Sequence, residues 1–178
     1  MATVIVAYAI TTLFFTSSEK SNFSKKTVFQ FDLDTNMNSG EVGPGDNFSV
    51  SPVIFNDATE EMYVFVEIQM PEYTDSSLPE SGDSLLYTFD VNEEWTLVES
   101  GNGTVVYAYG TDDMTLLGSG DNTSALTNQM TMQSISNAEY AGIDDINITI
   151  TGFAIGTEGV STIPKDAWNE CKAIGEME

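Results

Sequence analysis

Residues 62–70, MYVFVEIQM, limit the fold more than any other stretch of this chain. Met62, Val64, Val66, Ile68 and Met70 alternate with Tyr63, Phe65, Glu67 and Gln69. A period of two, rich in β-branched and aromatic residues, marks a strand. A half-solvated strand has one apolar face, but here both faces are apolar along most of the run. Such a strand belongs in the middle of a sheet covered on both sides. Upstream, Val50, Pro52 and Ile54 alternate with Ser49, Ser51 and Val53. Gly43-Pro44-Gly45-Asp46 breaks the chain before that strand. Asn56-Asp57-Ala58-Thr59-Glu60-Glu61 carries turn chemistry between the two runs. The expected unit is a β-hairpin across residues 43–71.

The same strand pattern recurs at residues 28–34 (VFQFDLD), 85–91 (LLYTFDV), 95–98 (WTLV), 104–109 (TVVYAY), 126–135 and 146–155 (INITITGFAI). Gly101-Asn102-Gly103 is a tight hairpin signal between two of these runs. Gly152 marks a bulge or a close backbone approach. Ser136-Asn137-Ala138-Glu139 has capping-box spacing and opens a short helical turn through Tyr140. Residues 164–174 (PKDAWNECKAI) read as a short helix. Pro164 suits its first turn, and Ala167, Trp168, Cys171 and Ile174 fall on one face. About eight short strands with one or two short helices predict an all-β fold, an Ig-like or jelly-roll β-sandwich. One domain is expected for 178 residues. It covers residues 27–178, behind an apolar segment at residues 1–15 and a polar linker at residues 16–26.

Charge and residue types exclude several functions. The chain carries 28 acidic and 5 basic residues, a net charge of −23. The five cations are Lys20, Lys25, Lys26, Lys165 and Lys172. They cannot build a patch that replaces counterions along a phosphate backbone, so nucleic acid is not an expected partner. Docking on anionic membranes is opposed for the same reason. There is no histidine, which removes Ser-His-Asp and Cys-His chemistry and the HExxH zinc site. The lone Cys171 reads as a small buried hydrophobe. Asp144-Asp145 and Glu93-Glu94 are adjacent, and neighbouring strand residues point to opposite faces. They do not suit paired acid–base work. The chain is expected not to be an enzyme and to need no cofactor.

Calcium is the one metal with candidate ligands. Asp32, Asp34 and Asn36 open a D-x-D-x-N pattern, but Met37 and Gly43 stand where the turn glycine and the bidentate glutamate belong. Asp112, Asp113 and Asp121 offer a looser acidic loop. A solvated strand face and a solvated loop are the simpler readings.

Residues 1–15 (MATVIVAYAITTLFF) have two readings. One is the remnant of a secretory signal, with Ala7-Tyr8-Ala9 in the small-x-small form of a cleavage site and the usual basic region missing. The other is an extended strand that fills a groove. Val4, Val6, Tyr8 and Ile10 then alternate with Ile5, Ala7, Ala9 and Thr11 and form a candidate donor strand. The segment is too short for a comfortable membrane span, so no stable membrane insertion is expected of the mature chain.

Several segments, taken in order, resemble the TasA/camelysin-like family, whose members are exported with a SipW-type signal peptidase. Residues 11–34 are similar to the family's mature amino end, with Asn22-Phe23-Ser24 ahead of Phe29, Phe31 and Leu33. Gly43-Pro44-Gly45-Asp46 and Asn56-Asp57-Ala58 resemble its PGD and N-x-G/A turns. Tyr63-Val64-Phe65-Val66 resembles its central strand, and Gly152-Phe153-Ala154-Ile155, Glu158-Gly159 and Ala167-Trp168 resemble its ending. The resemblance implies a secreted, cell-surface subunit of extracellular biofilm-matrix fibres. It implies a head-to-tail homo-oligomer built by donor-strand exchange, in which an exposed sheet edge receives a neighbour's strand. Some relatives are labelled metalloproteases, but a chain without histidine offers no basis for that. The alternative expectation, favoured by the acidic loops, is a monomeric surface-exposed binding module that depends on Ca²⁺.

Overall fold

The two-faced run at residues 62–70 does become the middle of a sheet. In the computed structural model, β6 (Met62–Gln69) pairs antiparallel with β13 (Thr149–Gly156) on one side and β11 (Thr104–Tyr109) on the other. β10 (Trp95–Gly101) extends the sheet past β11. β1 (Ala2–Ala9) and β2 (Thr12–Glu19) extend it past β13, giving the order β1-β2-β13-β6-β11-β10. The structure describes residues 2–9, 12–19, 31–34, 42–75, 82–143 and 146–175.

Both faces of β6 are covered. Met62, Val64, Val66 and Ile68 join Val105, Ile150 and Ala154 in one core. That core is closed by a second layer of short strands. β4 (Asn47–Ser49), β12 (Gln129–Met132) and β9 (Tyr87–Phe89) form a three-stranded sheet, and β3 (Phe31–Asp34) pairs with β5 (Val53–Asn56). Val50, Ile54, Met130 and Met132 are fully buried from this layer. On the opposite face, Tyr63 and Phe65 pack under α2 (Pro164–Gly175), where Ala167, Trp168 and Cys171 are buried. A further hairpin joins β7 (Glu72–Asp75) to β8 (Gly82–Leu85). The fold is therefore an all-β sandwich with two short helices.

Local signals behave as their chemistry predicts. α1 (Asn137–Tyr140) opens on a complete capping box: the Glu139 amide donates to Ser136 Oγ at 3.3 Å, and the Ser136 amide donates to Glu139 Oε2 at 2.9 Å. The β10–β11 turn is a two-residue loop with Asn102 and Gly103 both at positive φ, 51° and 75°. Gly103 is required twice over, since a Cβ there would stand 2.5 Å from the Met70 carbonyl.

Three expectations are corrected. β5 and β6 do not pair with one another: β5 pairs with β3, β4 pairs with β12, and the turn at residues 56–61 carries the chain from one layer to the other. The reason lies in Asn56, which is fully buried. Its Nδ2 donates to the Glu60 and Leu117 carbonyls and its Oδ1 accepts from the Ala58 amide, each at 2.9 Å. The turn is thus fixed to the loop before β12 rather than to a hairpin partner. Secondly, of the two readings of Gly152 the bulge falls, because β13 pairs with β6 in unbroken register from Thr149↔Gln69 to Gly156↔Met62. Thirdly, the boundary between residues 1–15 and the linker at residues 16–26 falls inside a strand, since β2 continues through Thr16 to Glu19. The remainder of that linker lies outside the described residues.

Candidate strand-addition edge

β13 gives its inner edge to β6 and its outer edge to β2. The outer register runs Thr151↔Ser18, Gly152↔Ser17, Phe153↔Thr16, Ala154↔Phe15 and Ile155↔Phe14. Two elements flank this edge. α2 lies against β2 from the face that holds Tyr63 and Phe65. β3 lies against β2 and β13 from the other face, carried there by β5 and its buried Ile54. The edge is therefore a slot one strand wide with a wall on each side. β1 lies beyond it and pairs with β2 alone among the described strands, in register from Ala2↔Glu19 to Ala9↔Thr12.

Trp168 anchors the α2 wall, and two lysines of the helix add to it. The Trp168 ring packs 5.2 Å from Phe65 of β6 and 5.2 Å from Phe153 of β13, the latter edge to face. Its Nε1 donates to Glu99 Oε2 of β10 at 2.6 Å. Lys172 also donates to Glu99, and Lys165 stands 3.7 Å from the same carboxylate. These contacts tie one helix to three strands of the large sheet.

Two carboxylates on that face are held in opposite directions. Glu67 and Glu99 both pair with Val106, so they flank one residue of β11. The hydrogen bonds from Lys172 and Trp168 hold the half-exposed Glu99 below the ordinary glutamate range. Glu67 is half-buried in the middle of the sheet, beside Thr151 of the slot strand. Burial, reinforced by Glu99, pushes its carboxyl up. A carboxyl whose folded pKa is raised holds its proton better folded than unfolded. Its contribution to stability is therefore full in acid and is lost as pH rises through the unfolded and then the folded pKa. Glu67→Gln is accordingly expected to raise the melting temperature at pH 7, with the gain shrinking on acidification. An unchanged melting temperature at pH 7, measured by circular dichroism, would contradict this.

The opposite edge of the sheet is built differently. β10 carries a bulge at Val98, where the register shifts between Leu97 and Glu99. The Val98 carbonyl accepts from Lys165 Nζ at 2.5 Å. A bulge and a lysine are devices that keep an edge strand from pairing with another chain. The slot along β13 has neither, and it holds a strand.

The sequence-derived site residues are dispersed. Val4, Val6 and Tyr8 lie on β1, opposite Ser17, Phe15 and Leu13 of β2, and Ile10 lies outside the described residues. The strand seated along β13 is therefore the following one, residues 12–19, rather than the one that carries the candidate donor residues. Asp32 and Asp34 lie on β3, with Asp34 exposed, and Asn36 lies outside the described residues. Asp112, Asp113 and Asp121 are exposed in the loops between β11 and β12. Asp113 Oδ1 accepts from the Thr162 hydroxyl at 2.8 Å. Among the described residues, no group of three or more acidic or cysteine side chains could hold a metal ion. Cys171 is fully buried, and burial pushes its thiol far up. Among the described residues, no helix is long and apolar enough to cross a membrane. Sequence reasoning missed β2 because composition turns polar at Thr16, although Leu13-Phe14-Phe15 is an apolar start that a strand would use. No protein-family model, curated protein or solved structure matches this chain.

Proposed function

We propose that this chain is a secreted structural subunit that self-assembles head to tail into extracellular fibres by strand addition at β13. The observation that carries this reading is the walled slot on the outer edge of β13, filled by a strand from the amino end. Backbone pairing along such an edge gives affinity without any special side-chain chemistry. A strand from a second copy offers the same backbone groups to the same edge, and a head-to-tail contact of that kind propagates rather than closes. The resemblance to TasA/camelysin-like proteins supports the same reading and adds the biofilm matrix as the setting. The strand-filled β13 edge and the guarded β10 edge suit a subunit better than a catalyst.

Removal of residues 2–19 tests the proposal. The truncated chain is expected to fold and to stay monomeric under conditions where the full chain forms filaments in negative-stain electron microscopy. A synthetic peptide of residues 12–19 (TLFFTSSE) is expected to bind the truncated chain and raise its melting temperature. Filaments from the truncated chain would sink the proposal. A full chain that stays monomeric under every condition would favour the binding-module reading instead.

A further inference from the structure

The layer of short strands that closes the core carries a groove. β9 and β12 pair from Met132↔Tyr87 to Met130↔Phe89. The next backbone link between the two segments is the Asn92 amide, which donates to the Leu126 carbonyl at 2.9 Å. Between these points residues 90–91 face residues 127–129, two against three, so the segments part. The longer side is held in that shape by its own bonds. The Thr127 hydroxyl donates to the Gln129 carbonyl at 3.1 Å and accepts from the Gln129 amide at 3.4 Å. The Asn128 carbonyl accepts from the Val50 amide at 3.4 Å, on the side away from β9. The gap that results is a groove of about 360 Å³, within the size range of ligand pockets.

We propose that this groove binds a neutral carbohydrate chain. Thr88, Asp90, Asn128, Gln129 and Thr131 give it a polar lining. Thr88, Asp90, Asn128 and Gln129 are exposed, and among the described residues their side chains have no hydrogen-bond or ion-pair partner. The Thr131 hydroxyl donates to Asn47 Oδ1 at 2.6 Å, which leaves its oxygen free to accept. Side-chain amides and hydroxyls both donate and accept, and a carboxylate accepts. Sugar hydroxyls need that mixture. Bonds from them to the Asp90 carboxylate are charge-assisted and would be the strongest in the site. Other ligand classes fit less well. An anionic ligand would meet no cation among the described lining residues, on a chain of net charge −23. A calcium ion draws on several carboxylates, and Asp90 is the one charged residue among those described in the lining. The groove lies in the small sheet rather than along β13, so the inference does not depend on the strand-addition reading.

Calorimetric titration of the full chain tests the inference. The probes are neutral oligosaccharides of glucose, mannose, galactose and xylose, with oligogalacturonate as the anionic control. At least one neutral probe is expected to bind with a Kd of about 1 mM or tighter. Added sodium chloride should leave that affinity unchanged, because the ligand carries no charge. Hydrogen exchange should slow at residues 88–92 and 127–131 when the probe is present. Asp90→Ala is expected to weaken binding about tenfold or more, and Asp90→Asn and Gln129→Ala by less. Both side chains are exposed, so the three variants should keep the melting temperature of the unmodified chain.

The inference is overturned if no neutral probe binds at about 10 mM, ten times the expected Kd. It is equally overturned if Asp90→Ala and Gln129→Ala, both folded, bind as the unmodified chain does. Protection that appears at other residues would place the carbohydrate elsewhere and refute this site. Binding of oligogalacturonate alone would show that the groove does not select neutral sugars.

Discussion

Asn56→Ala is expected to lower folding stability by about 3 kcal/mol, the sum of three buried hydrogen bonds at about 1 kcal/mol each. The side chain is fully buried and spans the turn after β5. Its two amide hydrogens face the Glu60 and Leu117 carbonyls, and its oxygen faces the Ala58 amide. Truncation leaves all three backbone groups without that partner. Asn56→Asp is expected to cost more. It keeps the acceptor for Ala58 but turns a carboxylate towards two carbonyl oxygens in a site closed to water. Urea unfolding followed by tryptophan fluorescence reads both. An Asn56→Ala midpoint equal to that of the unmodified chain would show that the turn is held by other means. Two backbone bonds supply the obvious candidates: the Asn56 amide donates to the Asp121 carbonyl at 2.9 Å, and the Gly120 amide donates to the Asn56 carbonyl at 2.8 Å.

Trp168→Ala is expected to cost about 3–5 kcal/mol, the range for removal of a large aromatic side chain from a core. Only 3% of Trp168 is exposed, so nearly the whole ring is lost from packing. Phe65 and Phe153 lose their aromatic neighbour, and Glu99 loses one of its donors. The effect should reach the slot, because α2 forms one of its walls. Amides of β13 that pair with β2 are therefore expected to exchange hydrogen faster in Trp168→Ala than amides of β12 that pair with β9 in the other layer. Trp168→Phe keeps much of the packing and loses the hydrogen bond, so it separates the two contributions. Equal protection in both layers would show that α2 does not support the slot.

Periodic elements and the local β10–β11 hairpin were legible from the sequence, and the long-range pairings were not. The run at residues 62–70 shows its burial directly, because a period of two needs no knowledge of the partner. The same holds for α2, where Pro164 and the spacing of Ala167, Trp168 and Cys171 describe a helix and its buried face. The partners of β6 lie far along the chain at residues 104–109 and 149–156, and no local pattern selects them over the adjacent β5. That choice is made by a tertiary feature, the burial of Asn56 against the loop at Leu117. The candidate site was half legible. An amino-terminal strand was read, but its boundary was drawn where apolar residues give way to Thr16, Ser17 and Ser18. Backbone pairing does not depend on that change, and β2 runs straight through it. Glu67 is visible as the one charged residue in MYVFVEIQM. Its approach to Glu99 across β11 is a product of the fold.

The bulge at Val98 and the lysine on its carbonyl set a limit on shape. A subunit with two receptive flanks would spread sideways into sheets or fork as it grew. Here the β10 flank is closed. An assembly made through β13 would have a direction, with unlike tips, and would lengthen without branching. Its tips would stay constant in number while mass accumulated between them.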